Sequence, residues 1–464
     1  MDMKCKLLVI GAGPGGYVAA IRAGQLGIDT IIVEADRAGG TCLIRGCIPS
    51  KALIHAADKY KTMAAHAGDG HLGISLTENP VLDFAKTMDW KEGIVDRLNG
   101  GVEALLKKAK VRQIKGWAKF KDAKTCEVDT QSGPVTIAAE HVILANGSQP
   151  TELPFLPFGG DVLSSTEALT LTEVPENLVV VGAGYIGLEL GIAYSKLGSK
   201  VTFIEADNRI LASYDKELTA PVKQWLNRHD ITVHLGAKAS GWKGNSLSYT
   251  DKDGKEQTIA ADKLLVTVGR RPNTEGWGLE TMAVDMDGQF IKIDNQCRTA
   301  MKNVWAIGDI TGEPMLAHRA SAQGEVVAEI IAGKKRVFNP NAIAAVCFTD
   351  PEIIAVGQSA EEAKAQGIDT VVGKFPLMAN GRALTMEAGE GGGFIRITAR
   401  KDNHVIVGIH GVGPHVSELS GEFALALEMG ARLEDIADTI HVHPTMTESF
   451  AEASLAALGH AIHI

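Results

Sequence analysis

Apolar and polar positions follow the same order in two separate stretches of the chain. Each stretch begins with a short run of β-branched and aliphatic residues, LLVI at 7–10 and LVVV at 178–181, which predicts a buried β-strand. A glycine-rich turn follows, then a helical pattern that stops at a Leu-Gly pair, and then an apolar strand that ends in Glu-Ala-Asp. Each stretch therefore predicts a strand, a turn, a helix and a second strand.

The two stretches are copies of one unit, because residues 7–36 align without a gap on residues 178–207. The glycines of the two turns coincide at the GxGxxG spacing; they are Gly11, Gly13 and Gly16 in the first copy and Gly182, Gly184 and Gly187 in the second. This spacing is typical of a dinucleotide-binding unit, in which the glycines allow a tight turn and let a pyrophosphate approach the helix N-terminus.

Each copy ends its second strand in a glutamate, Glu34 or Glu205, placed to accept hydrogen bonds from a ribose. A carboxylate at Glu205 would repel a 2′-phosphate, so the second copy should prefer NAD to NADP. Two dinucleotide sites in one chain indicate electron transfer between two cofactors, and a nicotinamide with a flavin is the natural pair.

The bulk properties exclude several classes of function. A chain of 464 residues is too long for one hydrophobic core, so several domains are expected. The longest apolar run, 177–194, contains Glu189 and four glycines, and it predicts a buried strand and helix rather than a membrane span. A net charge of −10 argues against binding nucleic acid or an anionic membrane. The N-terminus lacks the features of a signal peptide, and we expect a cytoplasmic protein.

Six cysteines are too few for a disulfide framework in so long a chain. Two of them, Cys42 and Cys47, lie five positions apart in GGTCLIRGCIPSK at 39–51. On an unbroken helix such residues are separated by about 7.5 Å of rise and cannot form a disulfide. The pair is therefore either unbonded or separated by a break, and Gly46 with Pro49 favours a break and a helix start at Cys47.

Three interpretations of this cysteine pair remain. A metal site would need further soft ligands at short spacing, and none is nearby, so we predict no metal. Two inert buried thiols would fit poorly in a segment rich in glycine and charge. A redox-active disulfide is favoured over both, because a helix start at Cys47 and the neighbouring Arg45 and Lys51 would favour a thiolate.

The cysteine segment resembles the redox-active segment of the flavoprotein disulfide reductases, which are also called class I pyridine nucleotide-disulfide oxidoreductases. Within this family, it resembles the segment of the dihydrolipoyl dehydrogenases most. Matching segments continue in order along nearly the whole chain: VILANGSQP (142–150), LLVTVGRRPNT (264–274), VWAIGDI (304–310), MLAHRASAQGE (315–325), FTDPEIIAVG (348–357), FPLMANGRA (375–383) and IHVHPTMTES (440–449). The resemblance implies an α/β fold with two Rossmann-like dinucleotide-binding domains and a C-terminal α+β dimerisation domain. The implied domains are 1–147 with 270–338 for FAD, 148–269 for NAD, and 339–464 for the interface.

The resemblance also implies catalytic roles. Cys42 would meet the substrate dithiol and Cys47 the flavin. His443 would act as the acid and base, with its ring held by Glu448. In the family this histidine reaches the disulfide of the other subunit, so a homodimer is implied.

Cofactor roles follow from the same resemblance. Asp309 would hold the ribityl chain of FAD, and Lys51, paired with Glu189, would lie near the flavin. The residues implied to bind FAD or NAD are Gly11, Gly13, Gly16, Glu34, Lys51, Gly147, Asp309, Ala317, Gly182, Gly184, Gly187, Glu189, Glu205 and Gly269.

The implied activity is oxidation of protein-bound dihydrolipoamide to lipoamide, with reduction of NAD⁺ through the disulfide and FAD. The implied partners are the lipoyl domains of 2-oxoacid dehydrogenase complexes or the glycine-cleavage carrier, with no nucleic acid and no membrane. Another NAD(P)H-dependent disulfide reductase of the same fold and a non-catalytic NAD-responsive flavoprotein are the alternatives. Intact cysteines, histidine and glutamate argue against the non-catalytic one.

The chain departs from the family pattern at three places. Ile44 and Arg45 stand where asparagine and valine are usual, Asn146 where threonine is usual, and Asp350 where histidine is usual. We expect the first departure to change the charge of the disulfide segment and the other two to change local hydrogen bonds.

Overall fold

The computed structural model describes residues 2–389 and 391–464. It contains two compact units. The first consists of the chain up to Leu153 together with Ser164–Val174 and Val268–Asn339, and the second consists of Pro154–Leu163, Pro175–Thr267 and Pro340–Ile464. The division into FAD, NAD and interface domains is finer than these two units and remains a prediction.

The helices and strands account for most of both units. The helices are α1 (Pro14–Gln25), α2 (Gly40–Arg45), α3 (Cys47–Ala65), α4 (Phe84–Lys108), α5 (Ser165–Ala168), α6 (Tyr185–Lys196), α7 (Lys216–Arg228), α8 (Ala317–Ile331), α9 (Ala360–Ala365), α10 (Gly381–Thr385), α11 (Ser420–Glu428), α12 (Leu433–Ala437) and α13 (Glu448–Ala457). The strands are β1 (Asp2–Ile10), β2 (Thr30–Glu34), β3 (Arg112–Lys115), β4 (Trp117–Phe120), β5 (Thr125–Thr130), β6 (Gly133–Leu144), β7 (Ser148–Pro150), β8 (Val162–Leu163), β9 (Asn177–Val181), β10 (Lys200–Glu205), β11 (Thr232–Leu235), β12 (Lys238–Trp242), β13 (Ser246–Thr250), β14 (Glu256–Ala260), β15 (Lys263–Val266), β16 (Arg270–Pro272), β17 (Met286–Asp287), β18 (Phe290–Ile291), β19 (Val304–Ala306), β20 (Ala345–Cys347), β21 (Glu352–Gly357), β22 (Thr370–Pro376), β23 (Phe394–Arg400) and β24 (Ile406–Gly413).

The first unit is built on a sheet with strand order β3-β2-β1-β6-β5-β4, in which β19 also pairs with β6. Strand β1 runs parallel to β2 and β6, and its last four residues are buried, as expected for a strand covered on both faces. Helix α1 packs against α8 where both are glycine, because a Cβ on Gly324 would overlap the carbonyl oxygen of Gly15. The glycines therefore set how closely the two helices approach.

The second unit contains the parallel sheet β11-β10-β9-β15-β8 and the antiparallel sheet β20-β21-β24-β23-β22. Helix α13 packs on β22 and β23, and Gly373 permits this contact because a Cβ there would overlap the backbone of Ala453. Arg396 on β23 forms ion pairs with Asp215, which caps α7, and with Glu217 in the first turn of α7. These pairs attach α7 to the antiparallel sheet.

The fold class predicted from the sequence is confirmed. The two copies of the repeat form β1-α1-β2 and β9-α6-β10, each with its two strands paired in parallel, and the C-terminal residues form an antiparallel sheet with helices. The apolar run 177–194 forms β9 and most of α6, as predicted. None of the helices in the described part of the chain combines the length and the hydropathy that a membrane crossing requires.

Candidate active site

The three glycines of the first turn serve different purposes. Gly11 has a φ of +92°, and a Cβ there would overlap the carbonyl oxygen of Ala145. A Cβ on Gly16 would overlap the carbonyl oxygen of Gly11, so this glycine lets α1 pack on the turn. Around Gly13, however, the nearest atom to a Cβ would be 4.0 Å away. The fold itself needs Gly11 and Gly16, while Gly13 leaves space above the turn.

The second turn repeats this division. Gly182 has a φ of +101°, and a Cβ there would lie 2.6 Å from the carbonyl oxygen of Thr267. A Cβ on Gly187 would lie 2.5 Å from the Thr267 hydroxyl oxygen, whereas a Cβ on Gly184 would meet nothing within 4 Å. The open space at Gly13 and Gly184, next to the N-termini of α1 and α6, fits the pyrophosphate of a dinucleotide.

Glu34 and Glu205 close the two turns in the same way. Glu34 accepts hydrogen bonds from the backbone N–H groups of Ala12 at 2.7 Å and Asp36 at 2.9 Å. Glu205 accepts from the N–H of Ala183 at 2.5 Å and from the N–H two residues beyond itself at 2.8 Å. Burial raises the pKa of Glu34, and the hydrogen bond from Ala12 opposes that rise. Both carboxylates thus hold the turn, and ribose binding by either remains a prediction.

Cys42 and Cys47 form a disulfide, with their Cα atoms 4.6 Å apart. Helix α2 ends at Arg45 and α3 begins at Cys47, and Gly46 between them has φ −144° and ψ −111°. A Cβ on Gly46 would lie 2.8 Å from the carbonyl oxygen of Thr41, so glycine allows the two helices to meet closely. The predicted helix break and helix start are confirmed, and the break brings the thiols together.

Asp309 lies in a turn that other side chains hold in place. The amide oxygen of Gln323 accepts from the N–H of Gly308 at 2.8 Å, and Arg319 donates to the carbonyl oxygen of Gly312 at 2.7 Å. Ser148 donates its hydroxyl proton to Oδ2 of Asp309 at 2.5 Å. The turn backbone and the carboxylate are therefore fixed by different contacts.

Two buried polar atoms near this turn suit a bound cofactor. In the described part of the chain, Nε2 of Gln323 and Oδ1 of Asn146 are buried without a hydrogen-bond partner. Buried polar atoms are rarely left unpaired in a working protein. Three further residues implied to bind a cofactor have the following places: Gly147 has a φ of +70°, Gly269 has a φ of +123°, and Ala317 is the first residue of α8. An amide donor and an amide oxygen here could pair with the polar groups of a flavin dinucleotide.

Lys51 and Glu189 lie in different compact units of the chain. Lys51 is in the first two turns of α3, and Glu189 is a buried residue of α6. One carboxylate oxygen of Glu189 accepts the backbone N–H of Phe348 at 2.9 Å. The pairing of Lys51 with Glu189 remains a prediction.

His443 and Glu448 form a pair at the start of α13. Nδ1 of His443 lies 2.8 Å from Oε1 of Glu448, and Oε2 accepts the N–H of Thr445 at 2.8 Å. These two contacts outweigh partial burial and lower the pKa of Glu448. An ionised Glu448 accepts a hydrogen bond from the Nδ1–H group of His443. Nε2 of the His443 ring, which is 79% exposed, is then unprotonated and able to take a proton. The neighbouring His441 instead has its Nε2 3.2 Å from Oε1 of Glu422.

Comparisons with known proteins agree with this geometry. A family profile described as pyridine nucleotide-disulphide oxidoreductase matches residues 5–324, and the dimerisation-domain profile of the same description matches residues 343–454. The chain belongs to the pyridine nucleotide-disulphide oxidoreductase family. The dimerisation-domain match supports a homodimer.

Relatives of this family member match it from end to end. A dihydrolipoyl dehydrogenase of Pseudomonas aeruginosa is 58% identical over 463 residues, covering 100% of this chain and 99% of the relative. A dihydrolipoyl dehydrogenase of Geobacillus stearothermophilus is 47% identical over 467 residues, covering 100% of this chain and 98% of the relative. The solved structure of LpdA from Mycobacterium tuberculosis is 26% identical, with a TM-score of 0.88 over 97% of this chain and 99% of that one. The resemblance inferred from the motifs is confirmed.

Two departures of this family member have partners that the sequence analysis missed. Arg45 forms an ion pair with Asp36, just beyond the end of β2, which ties the disulfide helix α2 to the first dinucleotide-binding unit. Asp350 lies 2.7 Å from Lys196, whose side chain is buried at the end of α6. No motif identifies either pair, because a motif records spacing within one segment and the two partners of each pair lie in different segments.

The remaining cysteines of this family member are poor nucleophiles. Cys5, Cys126, Cys297 and Cys347 are buried and take part in no disulfide within the described residues. Burial raises the pKa of Cys5 to about 11 and the pKa of Cys126 and Cys297 to about 12. The described residues contain no cluster of histidine, cysteine and carboxylate side chains suited to a metal ion. Redox chemistry is therefore assigned to Cys42 and Cys47.

Proposed function

We propose that this protein is an NAD-dependent dihydrolipoyl dehydrogenase, which oxidises protein-bound dihydrolipoamide to lipoamide. The observation that carries the proposal is the Cys42–Cys47 disulfide at the break between α2 and α3. End-to-end similarity to relatives of that name supports the choice of substrate. Glu205 supports NAD as the acceptor, because its carboxylate would repel the 2′-phosphate of NADP.

The two dinucleotide-binding units would hold the two cofactors. FAD would lie against the first turn, with Glu34, Lys51, Gly147, Asp309 and Ala317 around it. NAD would lie against the second turn, with Glu189, Glu205 and Gly269. Bound flavin would supply acceptance of two electrons and transfer of hydride to NAD⁺. The open space at Gly13 and Gly184 and the unpaired Nε2 of Gln323 support this assignment.

The chain's own residues perform the thiol chemistry. Nε2 of His443 removes the proton of one dihydrolipoyl thiol, and Glu448 stabilises the resulting imidazolium through Nδ1. The thiolate attacks Sγ of Cys42, which breaks the disulfide, forms a mixed disulfide and leaves Cys47 as a thiolate. The second dihydrolipoyl thiol then displaces Cys42 and closes the lipoyl ring, and its proton passes to the departing Cys42 sulfur, so that one proton ends on His443 and the other on Cys42. The substrate loses two electrons and two protons, and the protein disulfide gains the two electrons.

The wider assignments belong to the same proposal. Residues 1–147 with 270–338 would form the FAD domain, 148–269 the NAD domain and 339–464 the interface, where His443 of one subunit would serve the disulfide of the other. Lipoyl domains of 2-oxoacid dehydrogenase complexes or the glycine-cleavage carrier would be the partners, in the cytoplasm. The small number of cysteines, six in 464 residues, supports a reducing compartment.

The test is NADH formation from free dihydrolipoamide and NAD⁺ by the purified holoprotein. Cys42→Ser should abolish this reaction and keep the visible flavin spectrum, because the substrate no longer has a disulfide to attack. Cys5→Ser is the matched control and should keep the activity, since Cys5 is outside the site. Normal turnover by Cys42→Ser would overturn the mechanism. Reduction of another disulfide with NADPH, and none with dihydrolipoamide, would support a different reductase of the family.

A further inference from the structure

Ser148 links an arginine to the carboxylate of Asp309. Nε of Arg270 donates to the Ser148 hydroxyl oxygen at 2.8 Å, and Nη2 donates to the Ser148 carbonyl oxygen at 2.8 Å. The same hydroxyl lies 2.5 Å from Oδ2 of Asp309. Pairing of β7 with β16 keeps Arg270 beside Ser148. The three side chains form one hydrogen-bonded row, although 122 residues separate Ser148 from Arg270 and 161 separate it from Asp309.

The chemistry of the groups fixes the direction of these hydrogen bonds. A guanidinium can only donate, so the Ser148 oxygen accepts from Arg270. An ionised carboxylate can only accept, so the Ser148 proton points to Oδ2 of Asp309. Ser148 is 6% exposed, which shields both bonds from water. Oδ2 of Asp309 is thus committed to the protein, and Oδ1 is left for another donor.

The hydrogen bonds from Arg270 to Ser148 and from Ser148 to Asp309 orient the Asp309 carboxylate, whereas other contacts hold the backbone of the turn that contains Asp309. Gln323 and Arg319 hold the turn through Gly308 and Gly312, at 2.8 Å and 2.7 Å. Loss of the Ser148 hydroxyl would leave those contacts in place and let the Asp309 side chain rotate. Asp309 is half-buried, so its second oxygen can still meet a ligand.

We infer that Ser148 and Arg270 are positioning residues that present one oxygen of Asp309 to the ribityl chain of FAD. The inference rests on the proposed function, in which Asp309 binds that chain. A hydroxyl of the ribityl chain would donate to the free oxygen. Pre-orientation of the carboxylate lowers the cost of ordering it when the flavin binds.

The experiment measures the rate at which purified holoprotein releases FAD in a fixed, sub-denaturing concentration of guanidinium, followed by flavin fluorescence. Ser148→Ala should release FAD roughly 10-fold to 100-fold faster, the effect of losing one hydrogen bond to a charged group. Ser148→Thr keeps the hydroxyl and should restore slow release. Arg270→Ala should resemble Ser148→Ala, while Arg271→Ala, the exposed neighbour, is the control and should release FAD at the wild-type rate. Far-UV circular dichroism on the same samples reports whether the fold is kept.

A double-mutant comparison separates positioning from general support of the fold. If Ser148 acts through Asp309, Ser148→Ala should change the release rate by no more than about 2-fold in an Asp309→Ala background. Equal effects of Ser148→Ala with and without Asp309 would overturn the inference and leave the proposed FAD site standing. Unchanged release by Asp309→Ala alone would overturn both, because Asp309 would then not bind the flavin.

Discussion

Replacement of Gly184 by alanine tests whether the space above the second turn belongs to NAD. Gly184 has φ −76° and ψ 179°, an extended conformation that alanine adopts without strain, and a Cβ there would meet nothing within 4 Å. The residue is the N-cap of α6, where alanine is less favourable than glycine by about 0.5–1 kcal/mol. We therefore expect a folded protein with a slightly lower unfolding temperature.

The expected loss lies in cofactor binding. A methyl group at this position would keep the pyrophosphate away from the backbone N–H groups at the start of α6. Each hydrogen bond to a charged phosphate oxygen contributes about 1.5–3 kcal/mol, so KM for NAD⁺ should rise roughly 10-fold to 100-fold. The KM for dihydrolipoamide should stay unchanged, because that substrate reacts at the disulfide. Initial rates against both substrates give the comparison.

Gly187→Ala provides the contrast. A Cβ there would lie 2.5 Å from the Thr267 hydroxyl oxygen and would overlap the carbonyl of Gly182, so the packed turn must distort. Overpacking of this kind costs about 1–3 kcal/mol or more, and Gly187→Ala should lose stability as well as NAD binding. Thermal unfolding by circular dichroism separates the two variants. An unchanged KM for NAD⁺ in Gly184→Ala would refute the assignment of the space, and unfolding of Gly184→Ala would refute the packing argument.

Three other changes probe the redox site and the first unit. Glu448→Gln removes the charge facing Nδ1 of His443, and kcat with dihydrolipoamide should fall roughly 10-fold or more at constant flavin content. An unchanged kcat would contradict the role of Glu448 in stabilising the imidazolium of His443. Asp36→Asn leaves Arg45 without its half-exposed ion pair, and we expect the free energy of unfolding to fall by less than about 1 kcal/mol. The reduction potential of the Cys42–Cys47 disulfide should become less negative, because an uncompensated cation favours thiolates. A redox titration against NADH and NAD⁺ measures that potential, and a wild-type value would count against the effect. Hydrogen bonds from Arg22 and Lys334 lower the pKa of Glu329 from 4.5 to about 2. The contribution of the Glu329 carboxylate to the free energy of unfolding is therefore complete above about pH 4.5 and is lost as the pH falls towards 2. Denaturant unfolding across this pH range should show a flatter profile for Glu329→Gln, and identical profiles would show that the carboxylate is not the cause.

Much of the candidate site is local in origin, and that part could be predicted. A positive φ at Gly11 and Gly182 is a property of a tight turn, so the glycine spacing predicts the turn without any knowledge of distant residues. The disulfide is local too, since helix geometry demands a break between Cys42 and Cys47 and Gly46 supplies it.

Contacts between distant segments could not be predicted in this way. Periodicity indicates which face of a strand is buried, but it does not identify the side chain opposite. Ser148 gave no signal as a partner of Asp309, and Asp350 gave none as a partner of Lys196. Their partners become neighbours only when strands and helices far apart in the chain pack together.

The amino-acid sequence by itself determined the two dinucleotide-binding units, the redox cysteines and the family, because each depends on residue spacing within a short segment. Only the tertiary structure decided which charge neutralises Arg45, which hydroxyl orients Asp309 and which glycines leave space for a ligand. Those answers depend on distances between atoms of segments that meet only in the folded chain, and no local pattern records them.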